Sequence, residues 1–173
     1  PELIKAWELL AELHEQNANE KPATQTFADA LLANPNHEPF YENLLRTAFA
    51  YQYEDIAIKT LNKFVKISEN PGRASVDLAD AFRRRGDIDK ASDLLQKLQE
   101  LDMPWPACKG YLVIAKTYFD QNLDDPGLEA YWRAINSIQS SADAQWFLND
   151  LCYIMQDDEY VRLTTMAMDS IPK

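Results

Sequence analysis

Apolar residues in this chain fall into columns. Between residues 78 and 98, Leu78, Ala79 and Phe82 share one helical face. A tight turn follows at Arg85-Gly86-Asp87, and Ala91, Leu95 and Leu98 then share the face of a second helix. The rest of the chain repeats this unit. Leu10, Leu44, Leu78, Ile114 and Leu148 follow one another in steps of 34, 34, 36 and 34 residues. Ala23, Ala57, Ala91, Gly127 and Val161 form a second column, and Phe27, Leu61, Leu95, Tyr131 and Thr165 a third. Ala30, Phe64, Leu98, Ala134 and Met168 form a fourth. Within each second helix the columns lie three and four residues apart, so they make one stripe. Small residues let two helices approach, larger ones fill the remaining gap, and apolar surface left over by one pair is covered by the next.

This periodicity predicts helices at 2–17, 20–33, 38–51, 54–68, 74–85, 88–101, 106–121, 126–139, 142–155 and 158–170. The prolines punctuate it. Pro22 and Pro126 start second helices, where a missing N–H costs little. Pro35, Pro71 and Pro104 are expected to follow the ends of second helices and stop them. Asp124 and Asp125, ahead of Pro126, read as capping and macrodipole complements, as do Asp157 and Asp158 ahead of the last helix.

Composition supports helix and narrows the function. The hydrophobic share of 46% suffices for a continuous core, and four glycines among abundant Ala, Leu, Glu, Asp and Lys favour helix. A net charge of −11 argues against a nucleic-acid backbone or an anionic membrane as the main partner. No apolar run is long enough to span a bilayer. Two cysteines, Cys108 and Cys152, make no disulfide framework and read as small core residues. No stretch of the given residues reads as a signal peptide. Because the chain begins at Pro1, it reads as a piece of a longer protein or a processed form, and cytoplasm and periplasm both stay open as compartments.

The columns resemble the tetratricopeptide repeat. In the first unit Trp7, Leu10, Ala11, Ala23, Phe27, Ala30 and Pro35 fall at that family's spacing, with His14 where an aromatic is usual. In the third, Leu78, Ala79, Phe82, Gly86, Ala91 and Leu95 match. In the fourth, Tyr111, Ile114, Ala115, Tyr118, Gly127, Tyr131 and Ala134 match. The second is plainer, with Tyr41, Leu44, Ala57 and Leu61. The fifth departs most, with Asn149, Val161 and Thr165 at family positions. The resemblance implies an all-α, right-handed superhelix (a solenoid) of about five helix-turn-helix repeats, approximately 4–37, 38–71, 72–106, 107–141 and 142–173, in one repeat domain. It also implies a scaffold that binds a protein or peptide in a concave groove within a larger, bacterial assembly, such as one for secretion, envelope biogenesis or polymer export.

In that family the first helix of each repeat lines the concave surface. Applied here, the inward stripe takes Glu8, Glu12 and Glu15; Glu42, Arg46 and Phe49; Val76, Asp80 and Arg83; Leu112, Lys116 and Phe119; and Trp146, Asp150 and Tyr153. Arg73 and Lys109 add positive charge near the middle. The stripe runs from acidic through mixed to aromatic, and aromatic contact area beside cations suits a peptide carrying an acidic group. Glu8 and Glu12 stand where a clamp for chaperone C-terminal carboxylates needs a cation and an amide, so that adaptor role is disfavoured.

No chemistry competes with binding. There is no glycine-rich phosphate loop, and His14 and His37 do not pair with either cysteine at a metal-ligand spacing. No nucleophile elbow is present. No catalytic residue, cofactor or metal is therefore assigned. Arg83-Arg84-Arg85, the basic run, reads as local balance against Asp77, Asp80, Asp87 and Asp89 rather than as a nucleic-acid patch. Two alternatives remain. One is an oligomerisation module pairing through terminal repeats, where Met166, Met168 and Ile171 would expose apolar surface. The other is a helical-repeat enzyme subunit of the prenyltransferase α type, whose tryptophan signature Trp7, Trp105, Trp132 and Trp146 do not reproduce.

Overall fold

The computed structural model describes residues 2–101 and 104–151. Among them are nine α-helices and no strand: α1 (Glu2–Gln16), α2 (Glu20–Ala33), α3 (Glu38–Ala50), α4 (Glu54–Phe64), α5 (Pro71–Arg84), α6 (Ile88–Glu100), α7 (Ala107–Asp120), α8 (Asp124–Asn136) and α9 (Ser141–Leu151). None is long and apolar enough to cross a membrane. The helix expected at 158–170, with Asp157, Asp158, Cys152 and the terminal methionines, lies outside the described residues. The chain forms two compact units, Pro1–Trp105 and Pro106–Lys173. The first holds α1–α6, the second α7–α9.

In the first unit consecutive helices pair as hairpins, α1 with α2, α3 with α4 and α5 with α6. Each second helix also packs on the first helix of the next pair, α2 on α3 and α4 on α5, and α2 also packs on α4. The predicted columns make this possible. Ala23, Ala57 and Ala91 are fully buried, so the backbones come close, and Phe27, Leu61 and Leu95 with Ala30, Phe64 and Leu98 fill the seam behind them. In the second unit α8 packs closely on α7 and α9 adds to α7. Cys108, Leu112, Ala134 and Phe147 form its core. Gly127 takes the alanine column there, because a Cβ at that position would overlap the ring of Phe119.

The hairpin turns repeat as strictly as the columns. Ala18, Gln52, Gly86 and Asn122 all have positive φ, between 53° and 88°. Each sits two residues past the end of a first helix, 34, 34 and 36 residues apart. The N–H one residue further donates back across the turn. Asn19 donates to the carbonyl of His14, Tyr53 to Ala48, Asp87 to Phe82 and Leu123 to Tyr118, at 2.8–3.0 Å. This is the six-to-one bond of a Schellman cap, which satisfies otherwise orphaned carbonyls and turns the chain sharply. At Gly86 it is reinforced by Arg85, which bonds both Asp87 and Asp55, the latter at 2.5 Å. Arg85 holds the Asp87 carboxyl below the usual carboxylate range.

Three expectations need correction. Pro71 does not end a second helix. It is the first residue of α5, behind Asn70, whose side chain accepts the Arg73 N–H at 3.2 Å. Helix α4 correspondingly stops at Phe64, four residues early. Leu10, the first member of the leucine column, is 40% exposed where Leu44 is 0%.

Candidate partner-binding surface

The first helices of the first unit carry a row of charges that pair one repeat to the next. Glu15 of α1 accepts from Arg46 of α3 at 2.6 Å. Thirty-one residues on from Glu42 of α3, Arg73 of α5 pairs with it, and with Glu38 at 2.6 Å. His37, ahead of α3, lies 3.2 Å from Glu8. The expected acidic start of the groove is therefore not a run of bare carboxylates. Glu8 and Glu15 face side chains from the next repeat, and Glu12 accepts from Gln16 at 3.3 Å.

Tyr41 is the node of this row. Its buried hydroxyl donates to Asp77 Oδ2 at 2.5 Å, and the Arg73 guanidinium lies over its ring at 4.7 Å. Burial first, and then the Asp77 carboxylate, push the Tyr41 phenol well above the ordinary tyrosine range. Burial of Arg73 opposes its charge, but the bond to Glu38 and the two neighbouring glutamates outweigh that and raise it. Beside the node a cleft of about 250 Å³ opens between the α2–α3 and α4–α5 turns, lined among others by Asn36, Glu38, Glu69 and Arg73. Asn36 donates to Glu69 across it at 2.9 Å. Asp77 and Tyr41 were not among the expected site residues. The available signal was a carboxylate set between Val76 and Leu78 in a helix apolar on more than one face.

The third repeat's share of the expected groove is largely interior. Val76 is fully buried, and Asp80 is buried between Arg83, at 2.9 Å, and Arg84, at 2.8 Å. The physical reason is that α5 lies between α4 and α6, so its apolar face wraps further around the helix than a single stripe. Arg83 closes on Asp80, as the local-balance reading of the basic run expects, and Arg84 stacks on Phe49 at 4.4 Å. Phe49 is half-buried against the core of this unit. Arg46 remains exposed on the surface.

The second unit gathers a different set. Lys109 Nζ stands 5.3 Å from the centroid of the Trp146 ring, joining α7 to α9. Lys116 follows two turns later on the same side of α7 as Lys109 and is half-buried. Phe119 is exposed at the end of α7, its ring against Gly127. Leu112 is corrected: it is 3% exposed in the core with Cys108, Ala134 and Phe147, because α7 is packed by both α8 and α9. Asp150 falls within α9, and Tyr153 lies outside the described residues. No group of three or more His, Cys, Asp or Glu among the described residues could hold a metal ion.

No family model and no curated protein matches the sequence. Solved structures do. A crystal structure of MamA aligns with a TM-score of 0.53 at 20% identity, covering 92% of this chain and 93% of that one. A second MamA crystal structure aligns with a TM-score of 0.55, also at 20% identity, covering 96% and 90%. MamA is a tetratricopeptide-repeat protein. At this identity the likeness shows the fold, and the fold of this chain is an all-α solenoid of tetratricopeptide-like helical repeats.

Proposed function

We propose that this chain is a protein-interaction scaffold that holds a protein or peptide partner on the face of its first helices. The observation that carries the reading is the Lys109–Trp146 stack with Lys116 two turns further along α7. A cation held over an aromatic ring, beside a second cation, offers a flat apolar contact and a counter-charge to one acidic-aromatic peptide segment. Placement within a bacterial assembly for secretion, envelope biogenesis or polymer export rests on the family resemblance alone.

The test is direct. Peptides are selected from a random display library on the immobilised chain, and their affinity is measured by fluorescence anisotropy. Lys116→Glu and Trp146→Ala are each expected to weaken binding by about tenfold or more, equivalent to about 1.4 kcal/mol. Arg133→Glu, on exposed surface of α8, serves as the control. Unchanged affinity in both variants ends the first-helix reading.

A further inference from the structure

Of the second helices α2, α4, α6 and α8, the first three open their buried column with alanine, and Ala23, Ala57 and Ala91 are each fully buried. The last has Gly127. Glycine weakens a helix relative to alanine, so the exception carries a cost. The three packed alanines show that a seam of this kind accepts a Cβ. What a Cβ at Gly127 would meet is one side chain: the three nearest atoms are Cε1, Cδ1 and Cζ of Phe119, at 2.4, 2.6 and 3.0 Å. The closest obstacle is thus the ring, not the backbone of α7.

Phe119 lies five residues past Ile114 of the leucine column, and its counterparts in the earlier repeats are Glu15, Phe49 and Arg83. Those three are engaged within their own unit. Arg46 bonds Glu15, Asp80 holds Arg83, and Arg84 stacks over Phe49 at 4.4 Å. Phe119 stays 37% exposed, and among the described residues no cation or second ring stacks on it. It stands one turn past Lys116 on α7, a spacing that makes the two side chains neighbours.

We propose that Gly127 is a positioning residue for the partner surface. By withholding a Cβ it seats the Phe119 ring as a fixed apolar contact beside Lys116, so the bound segment presents an apolar or aromatic side chain next to the acidic group that Lys116 takes. The proposal rests on the reading of Lys109, Trp146 and Lys116 as the partner site, and it adds a requirement on the partner's sequence. A methyl at position 127 would occupy the place of the ring. Phe119, partly exposed and free to turn about its side-chain bonds, yields before any backbone does. The fold keeps its packing and the surface loses the contact.

The probes are the display-selected peptides that bind the parent chain, measured by fluorescence anisotropy on Gly127→Ala, Phe119→Ala and the double variant. Gly127→Ala is expected to keep or raise the thermal midpoint. It should weaken binding about fivefold, as should Phe119→Ala. The double variant should bind no worse than Phe119→Ala alone, because the glycine acts through the ring. In chains labelled with para-fluorophenylalanine, the fluorine resonance missing from Phe119→Ala is the one that Gly127→Ala should displace. Losses that add in the double variant overturn the proposal. So does a fallen midpoint in Gly127→Ala, which gives the glycine a packing role alone. Parent-like binding by Gly127→Ala, with Lys116→Glu and Trp146→Ala still weakened, overturns it and leaves the partner site standing. If those two variants also bind like the parent, the site itself is wrong and the positioning role falls with it.

Discussion

Replacing Gly86 by alanine isolates the cost of the left-handed turn between α5 and α6. The backbone there has φ +88°, and a Cβ built on Gly86 meets nothing within 4 Å. Packing therefore contributes nothing, and the whole penalty is conformational. A non-glycine residue in this region costs about 1–2 kcal/mol. Alanine recovers part of that by restricting the unfolded chain, by about 0.4–1 kcal/mol. The net expectation for Gly86→Ala is a loss of about 1 kcal/mol, or about 4–8 °C in midpoint for a cooperative unit of 60–100 residues. The reverse change belongs at Ala18, which holds φ 53° in the equivalent turn, and Ala18→Gly is expected to stabilise by a similar amount. Gly86→Asn should fall between glycine and alanine, since asparagine tolerates this conformation and already occupies it at Asn122. Urea unfolding followed by circular dichroism at 222 nm measures all three. Gly86→Ala indistinguishable from the parent, or Ala18→Gly destabilising, would refute the assignment of these turns as repeated Schellman caps.

Three further outcomes are expected. Tyr41→Phe removes a donor from the buried Asp77 carboxylate and should cost about 1.5–3 kcal/mol, with non-additivity against Asp77→Asn in a double-mutant cycle; additive losses would show that the two do not interact. The raised Tyr41 phenol favours the folded state fully below the ordinary tyrosine pKa near 10, because both states are then protonated. Its contribution is lost as pH climbs from there towards the folded-state value, since only the unfolded chain ionises; stability of the parent, but not of Tyr41→Phe, should carry this extra fall in urea titrations above pH 10. Gly72→Ala drives a Cβ into the carbonyl of Pro104, which is backbone and cannot rotate away, and should cost about 1–3 kcal/mol in thermal unfolding; an unchanged midpoint would mean that the segment before Trp105 does not lie on α5.

The columns were legible because they are local. Ala23, Phe27 and Ala30 sit on one stripe of one helix, and the same stripe recurs with the period, so burial follows from spacing alone. The turns were legible only at Gly86. Ala18 and Gln52 adopt the same conformation without its residue signature, because the back-bond across the turn and the helix packing impose it. The exposure of the inward stripe was not legible throughout: Asp80 and Leu112 are buried because α5 and α7 each touch two helices, and a one-sided stripe cannot show that. Asp77 was read as balance for the arginine run, but its partner Tyr41 lies 36 residues away, and only the stacking of repeats brings the two together.

The charge row on the first helices has a consequence for the order of the repeats. Each ion pair is exposed and worth at most about 1 kcal/mol, so the row adds little to stability. Its layers nevertheless differ: the position that holds Arg46 in α3, where it meets Glu15, is Glu12 in α1 and Asp80 in α5. Excising residues 38–71 would preserve the period, yet it would put Asp80 where Arg46 meets Glu15 and Trp7 where Tyr41 meets Asp77. The apolar columns make any layer fit on any other. The polar row tells them apart, so the first unit behaves as a numbered stack in which a shuffled, duplicated or deleted layer sets like charges together and takes the tyrosine donor away from a buried carboxylate.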